Sequence, residues 1–235
     1  MTVGLWAAIT IGLKLPNYML PDPLSVARAL VDHRQMLAIN AAVTAFEIVV
    51  GLIVGLIAGT ATALAVAAST RIKDVVLPVV VVTQSLPVFA IAPILVIWLG
   101  FGMASKIVMA ALIIYFPIAT AYAEAMLRVP SELMDLARLH GASNAQALWL
   151  VRAPGGFLGL VSGVKVAATV APIGAVVGEW VGASHGLGYV MLHANARLQT
   201  DVLFAAIFIL AVLALTVRSV VDRIVDRLMP WQQAV

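Results

Sequence analysis

Residues 39–67, INAAVTAFEIVVGLIVGLIAGTATALAVA, run for 29 residues with one charged side chain, Glu47. About 20 apolar residues in a helix are enough to cross the hydrocarbon core of a bilayer. No water is available there, so the backbone must satisfy its own N–H and C=O groups, which leaves a helix or a closed barrel. A barrel needs alternating polarity and girdles of aromatic residues. This chain is 63% hydrophobic, 11% charged and only 7% aromatic, and its apolar mass is Ala, Val, Leu and Ile. A soluble domain carries far more charge. The expected fold class is all-α: a polytopic membrane helix bundle.

Further spans are expected over 75–99, 107–123, 157–181 and 202–221, with Pro78, Pro87 and Pro93 interrupting the first of these. Residues 3–13 read as a short first membrane helix, because no basic segment or small-residue cleavage site marks a signal peptide. That makes five to six transmembrane helices in a single domain over 1–235. Residues 24–37 read as a short amphipathic helix at the interface. With the N-terminus inside, the inner loops hold eight cations (Arg71, Lys73, Arg128, Arg138, Arg152, Arg218, Arg223, Arg227) and the outer ones five (Lys14, Arg28, Arg34, Lys106, Arg197). The positive-inside rule favours this orientation and places 124–156 in the cytoplasm.

Small residues recur every four positions: Gly51, Gly55, Gly59, Ala63 and Ala67; then Gly159, Gly163, Ala167 and Ala171; then Gly174, Gly178 and Gly182. That spacing lines them up on one helix face, where two backbones can approach closely.

Against this background the stretch 132–156, ELMDLARLHGASNAQALWLVRAPGG, stands out. It reads as a helix opened by Ser131 with Glu132 and Asp135 in its first turn, a turn at Gly141, and a second helix over about 145–152 started by Ser143 or Asn144. A DNA-binding helix-turn-helix has a similar rhythm, but its recognition helix needs donors for phosphates and bases. Between Ala142 and Val151 there is no Lys or Arg. Nucleic acid is excluded as a partner. The pair reads instead as a docking element for another protein, with Leu136, Leu139, Leu148 and Trp149 as apolar anchors and Ala137, Gly141 and Ala142 allowing close approach.

Asp135-Leu-Ala-Arg-Leu-His-Gly-Ala-Ser, followed by Pro154, resembles the cytoplasmic loop of ATP-binding-cassette importer permeases, whose pattern is E-A-A-x3-G and then a proline. Asp135 stands at the Glu, Leu136 and Ala137 at the alanines, and Gly141 at the glycine. The likeness extends to LPDPLSVARAL, to 84–107 and to 178–191, which resemble the nitrate, sulfonate and taurine branch. Residues 170–206 are most similar to permeases for thiamine-precursor pyrimidines.

The resemblance implies a transport subunit, not an enzyme, in the inner membrane. It implies a second permease copy as homodimer partner, two ATPase subunits, and a substrate-binding protein at the outer face. Coupling to the ATPase would fall on Asp135, Leu136, Ala137, Leu139, His140, Gly141, Ala142, Ser143 and Pro154 in the loop 131–154. ATP and Mg would be held by the ATPase, with no cofactor on this chain. The chain has no G-x4-G-K-[ST]; the nearest approach, GFGMASKI, has Ser105 and Ile107 where a glycine and a hydroxyl are needed.

Other polar residues inside apolar spans are candidates by default, since charge at membrane depth is costly. Glu47 is read as a pathway or gate residue; Glu179 is read first as a structural acceptor for backbone around 186–188 and second as a pathway gate. Gln84, Ser85 and Pro87 interrupt their span and are read as lining the substrate pathway. Lys165 is expected to snorkel. His185 and His193 lack a placed acid, so no metal site is expected, and the absence of cysteine removes thiolate chemistry. An ion-coupled secondary transporter is the alternative of another class, with Glu47 as its coupling carboxylate.

Overall fold

The computed structural model describes residues 16–229 together with 4–6, 10 and 12. The helix expected over 3–13 therefore falls largely outside the described residues. Every element among them is helical. α1 (Pro23–Asp32) leads into α2 (Arg34–Ala68), then α3 (Thr70–Ser85), α4 (Val88–Leu99) and α5 (Met103–Leu127). The polar stretch forms α6 (Ser131–Leu139), α7 (Asn144–Ala147), a π-helical turn (Leu148–Arg152) and α8 (Ala153–Gly155). The chain closes with α9 (Phe157–Trp180), α10 (Leu187–Ala196) and α11 (Thr200–Leu228).

Four of these helices, α2, α5, α9 and α11, are long and apolar enough to cross a membrane. The span expected over 75–99 is not one helix. α3 and α4 meet at a bend of 100°. Pro87 has no N–H to donate, and a residue before proline is driven out of the helical region. Leu86 accordingly sits at φ −74°, ψ 134°. α3 starts beside the end of α2, while Ala92 and Leu95 of α4 pack with Met109 at the start of α5. The pair thus crosses as a broken fifth span.

α2, α5 and α9 form the core, with α5 between the other two. Ile48 of α2, Ala110, Ile114 and Ile118 of α5, and Ala167, Ala171 and Ala175 of α9 share one buried cluster. The glycine stripes explain the closeness. A β-carbon added at Gly55 would lie 2.5 Å from Ile114 Cγ2, and one at Gly51 would lie 2.8 Å from Ala110 Cβ. On the other side, one at Gly163 would lie 2.7 Å from the Pro117 carbonyl oxygen, and one at Gly174 would lie 2.9 Å from Ala110 Cα. Only hydrogen fits at these four positions without a shift of the backbone.

α10 and α11 close the bundle at the end away from 131–154, hereafter the far end. Leu187, Val190 and Ala194 pack there with Val202, Ala205 and Ala206, and with Val26 and Ala29 of α1. The opposite, loop end is closed by Ala63, Val66 and Ala67 against Tyr122, Ala123, Met126, Leu148 and Ala153.

Gly55→Ala is expected to lower the thermal unfolding temperature of the detergent-purified chain, because overpacking of this kind costs about 1–3 kcal/mol. The penalty should shrink in an Ile114→Ala background, since the carbon that is struck has then been removed. Additive effects of the two substitutions would contradict the close contact.

Candidate functional site

The loop end is built as a rigid projection. α6 begins at Pro130, which occupies the cap position, so Ser131 lies inside the first turn and makes no capping hydrogen bond, contrary to expectation. α6 stops in a Schellman motif: Ala142 N–H donates to the Ala137 carbonyl (3.0 Å) and Gly141 N–H to that of Arg138 (2.9 Å). Gly141 supplies the turn at φ +81°, a conformation that strains any L side chain. Ser143 then opens α7 with a reciprocal capping box: Gln146 N–H donates to Ser143 Oγ, and Ser143 N–H to Gln146 Oε1 at 2.8 Å.

The second helix is α-helical only over Asn144–Ala147 and then widens into the π turn, rather than running as one α-helix to Arg152. Two long-range bonds tie it to the bundle. Arg152 donates to the Ala67 carbonyl at 2.6 Å, at the end of α2, and Tyr122 OH donates to the Ala153 carbonyl at 3.2 Å.

This tethering sorts the apolar residues of the pair. Met134, Ala147 and Leu148 are buried against the bundle. Leu148 therefore anchors the loop inward and is not a docking residue. Leu139 (84% exposed), Trp149 (60%), Leu136 and Leu150 face outward with no cover. His140, Gly141, Ser143 and Pro154 are exposed too, while Ala137 and Ala142 are half-buried. Asp135 is held by an exposed ion pair to Arg138 at 3.2 Å, and His140 Nδ1 lies 2.9 Å from the Leu136 carbonyl.

The far end is built differently, around buried polar groups. Asn40, Thr44 and Glu47 sit at helical spacing on the α2 face that continues into the glycine stripe, and all three are buried. Glu179 at the end of α9 accepts from Thr44 Oγ1 at 2.6 Å and from Gly188 N–H at 2.5 Å. Leu187 N–H donates to Thr44 Oγ1 at 2.8 Å, and Gly186 N–H to Asn40 Oδ1 at 2.7 Å. Three consecutive backbone donors at the start of α10, Gly186 to Gly188, thus end on side chains of α2 and α9. Gly186 has φ +119°, and a β-carbon there would overlap the Glu179 carboxylate.

Glu47 is fully buried and makes no hydrogen bond among the described residues. Its nearest opposite charge is Lys106 Nζ at 3.7 Å, itself buried in the first turn of α5. Sequence reading put Lys106 in an outer turn and missed the pair. The available signal was that MASKIVMAALII continues one apolar helix through the lysine. Both Glu47 and Glu179 are enclosed in the core of one protomer. Gln84, Ser85 and Pro87, by contrast, are exposed at the α3–α4 bend.

Lys165 does not snorkel. Its ammonium lies 3.5 Å from Asp222 and 3.7 Å from Asp226 of α11. Arg218 reaches back to the Lys165 carbonyl at 2.8 Å and to Asp222 at 2.8 Å, so α9 and α11 are linked through charge. His185 lies beside Ser184 on the exposed loop, and His193 packs against Tyr189.

Comparison with known proteins bears on what such a molecule does. The profile of the family described as "Binding-protein-dependent transport system inner membrane component" matches residues 51–232. A protein of Haemophilus influenzae named "Probable ABC transporter permease protein" is 44% identical over 95% of this chain and 91% of its own length. The formylaminopyrimidine transport permease protein ThiX of Halalkalibacterium halodurans is 29% identical over 92% of this chain and 87% of its own length. The taurine transport system permease protein TauC of Escherichia coli is 31% identical over 84% of this chain and 67% of its own length.

Removing one member of a buried ion pair leaves the other uncompensated, at a cost of about 3–5 kcal/mol, whereas replacing both with apolar groups is often neutral. Lys106→Met alone is therefore expected to destabilise the purified chain strongly, and Glu47→Leu/Lys106→Met to recover most of the loss. A double variant no more stable than Lys106→Met in thermal unfolding would show that the pair is not the source.

Proposed function

As the chain belongs to the family of binding-protein-dependent transport system inner membrane components, in the sulfonate and taurine branch of ATP-binding-cassette importer permeases, we propose that it forms half of a substrate pathway and takes its energy from a separate ATPase docked on α6 and α7. The observation that carries this reading is the uncovered apolar crest of Leu136, Leu139, Trp149 and Leu150 on a helix pair joined by a Schellman turn and a capping box and bonded to the bundle. An exposed apolar group of this kind marks an interaction site. A loop lying passively on lipid would not need such rigid anchoring.

The mechanism follows from the tethers. A push on α6 and α7 is delivered through Arg152 to the end of α2 and through Ala153 to Tyr122 of α5. Both helices reach the far end, where Asn40 and Thr44 of α2 hold the backbone at the start of α10 and the Glu47–Lys106 pair links α2 to α5. ATP and Mg bind the ATPase, one subunit per permease copy, and α6 and α7 face the cytoplasm. A substrate-binding protein delivers at the far end.

The second wall of the pathway is another copy of this chain. The exposed bend at Gln84, Ser85 and Pro87 faces that pathway, and its polar groups contact substrate in passing. Glu179 acts by fixing the far-end loop, and Glu47 by pairing with Lys106 across α2 and α5. The substrate is a small polar pyrimidine of the thiamine-precursor type, supported by the likeness of 170–206 and by the formylaminopyrimidine relative. A sulfonate, taurine or nitrate substrate is the second reading, supported by the taurine relative.

Leu139→Asp alters no buried contact, so the variant should fold and insert normally. It is expected to lose co-purification of the ATPase and at least about tenfold of ATP-driven uptake, as for a central apolar contact of an interface. Wild-type uptake with the ATPase retained would place docking elsewhere. Uptake of labelled formylaminopyrimidine against taurine, by proteoliposomes carrying the ATPase and binding protein, separates the two substrate readings.

A further inference from the structure

A cavity of about 590 Å³ opens at the loop end, between the start of α3 and the inner side of α6 and the π turn. Lys73, Arg138 and Arg152 line it, from three separate elements, together with Ser69, Thr70 and Asn144; no carboxylate among the described residues does. The residues of the docking crest, Leu136, Leu139 and Trp149, are not among its walls. We propose that this cavity is a binding site for a phosphate group, carried by an acidic phospholipid headgroup or present as free phosphate.

The charge balance is the first argument. Three cations gathered around one cavity repel one another unless an anion lies between them. Arg138 is partly compensated at the rim by Asp135, and Arg152 spends one N–H on the Ala67 carbonyl. Lys73 is half-buried and makes no ion pair among the described residues.

The donor geometry is the second. Ser69 caps α3 without using its side chain, and Ser69 and Thr70, at the start of this 16-residue helix, line the cavity. Unsatisfied N–H groups at a helix start, joined by arginine and lysine, are the donor set that phosphate oxygens accept. Depth is the third. Val66 and Ala67 at the end of α2 and Leu127 at the end of α5 form part of the wall. The cavity therefore sits where two membrane helices emerge, the level at which a lipid phosphate lies and at which basic pockets between helices hold acidic headgroups.

The test uses the full chain purified in mild detergent and needs neither the ATPase nor a known orientation. Its failure would therefore leave the importer reading intact. Native mass spectrometry would count retained phosphatidylglycerol against phosphatidylcholine. Binding of inorganic phosphate would be measured by isothermal titration calorimetry. The wild-type chain is expected to retain phosphatidylglycerol preferentially, and Lys73→Gln/Arg138→Gln to lose about tenfold or more of that retention, with Lys73→Arg behaving as wild type. Phosphate that displaces the lipid, or that binds with the same dependence on Lys73, identifies free phosphate as a ligand of the same site. Equal retention of both lipids with no phosphate response would overturn the proposal. So would wild-type retention by the folded double variant. Should the double variant fail to fold, Lys73→Gln alone decides, because Lys73 makes no ion pair among the described residues.

Discussion

The separation between α5 and its two neighbours is the quantity on which the rest of the bundle depends. Inside a bilayer there is no hydrophobic gain in moving an apolar side chain from lipid to protein, so helices associate through van der Waals contact and polar bonds. Glycine at Gly51 and Gly55 on one side, and at Gly163 and Gly174 on the other, lets α5 touch both partners nearly backbone to backbone. That approach also brings three charged residues from three helices within reach of one another. Glu47, Lys106 and Glu179 sit just beyond the stripes, at the far end. A wider spacing would leave each of them singly buried in an apolar medium, which is far less favourable than the paired arrangement.

The two ends of the core are finished in opposite ways. At the far end the polar groups point inward, and loop backbone is held by side chains: Gly186, Leu187 and Gly188 each donate to Asn40, Thr44 or Glu179. At the loop end the apolar groups point outward, and the helix pair that carries them is fixed by caps and two tethers. One end thus turns its polar groups inward onto its own loop backbone, and the other presents a stiff, uncovered apolar surface. For a transport subunit the difference is useful. In the proposed coupling, a stiff lever would transmit displacement into α2 and α5, and a loop held by discrete hydrogen bonds would have an alternative in which those bonds break together.

Much of this was legible in the residues. The glycine spacing, the turn at Gly141, the cap at Ser143 and the acceptor role of Glu179 toward 186–188 all follow from local rules, because each depends on residues within a few positions or on one helix face. The misreadings share a different cause. Leu148 looks like Leu139 in sequence, yet one is buried against Ala63 and Met126 and the other points to solvent. Lys165 seemed isolated because its partners, Asp222 and Asp226, are more than fifty positions away. Lys106 was assigned to a turn because a charge beside an apolar run is usually at its edge.

Composition and residue spacing were enough to specify a helical membrane bundle, helices that pack on small residues, and a turned helix pair over 131–154. These follow from transfer free energy, side-chain volume and backbone propensity, none of which needs a partner. Only the tertiary structure decided which charge meets which, that α3 and α4 are broken by 100° at Pro87, and which apolar residues of the helix pair are left facing out. Those outcomes are differences between positions with the same local chemistry, and the difference is made by whatever happens to lie across the helix interface.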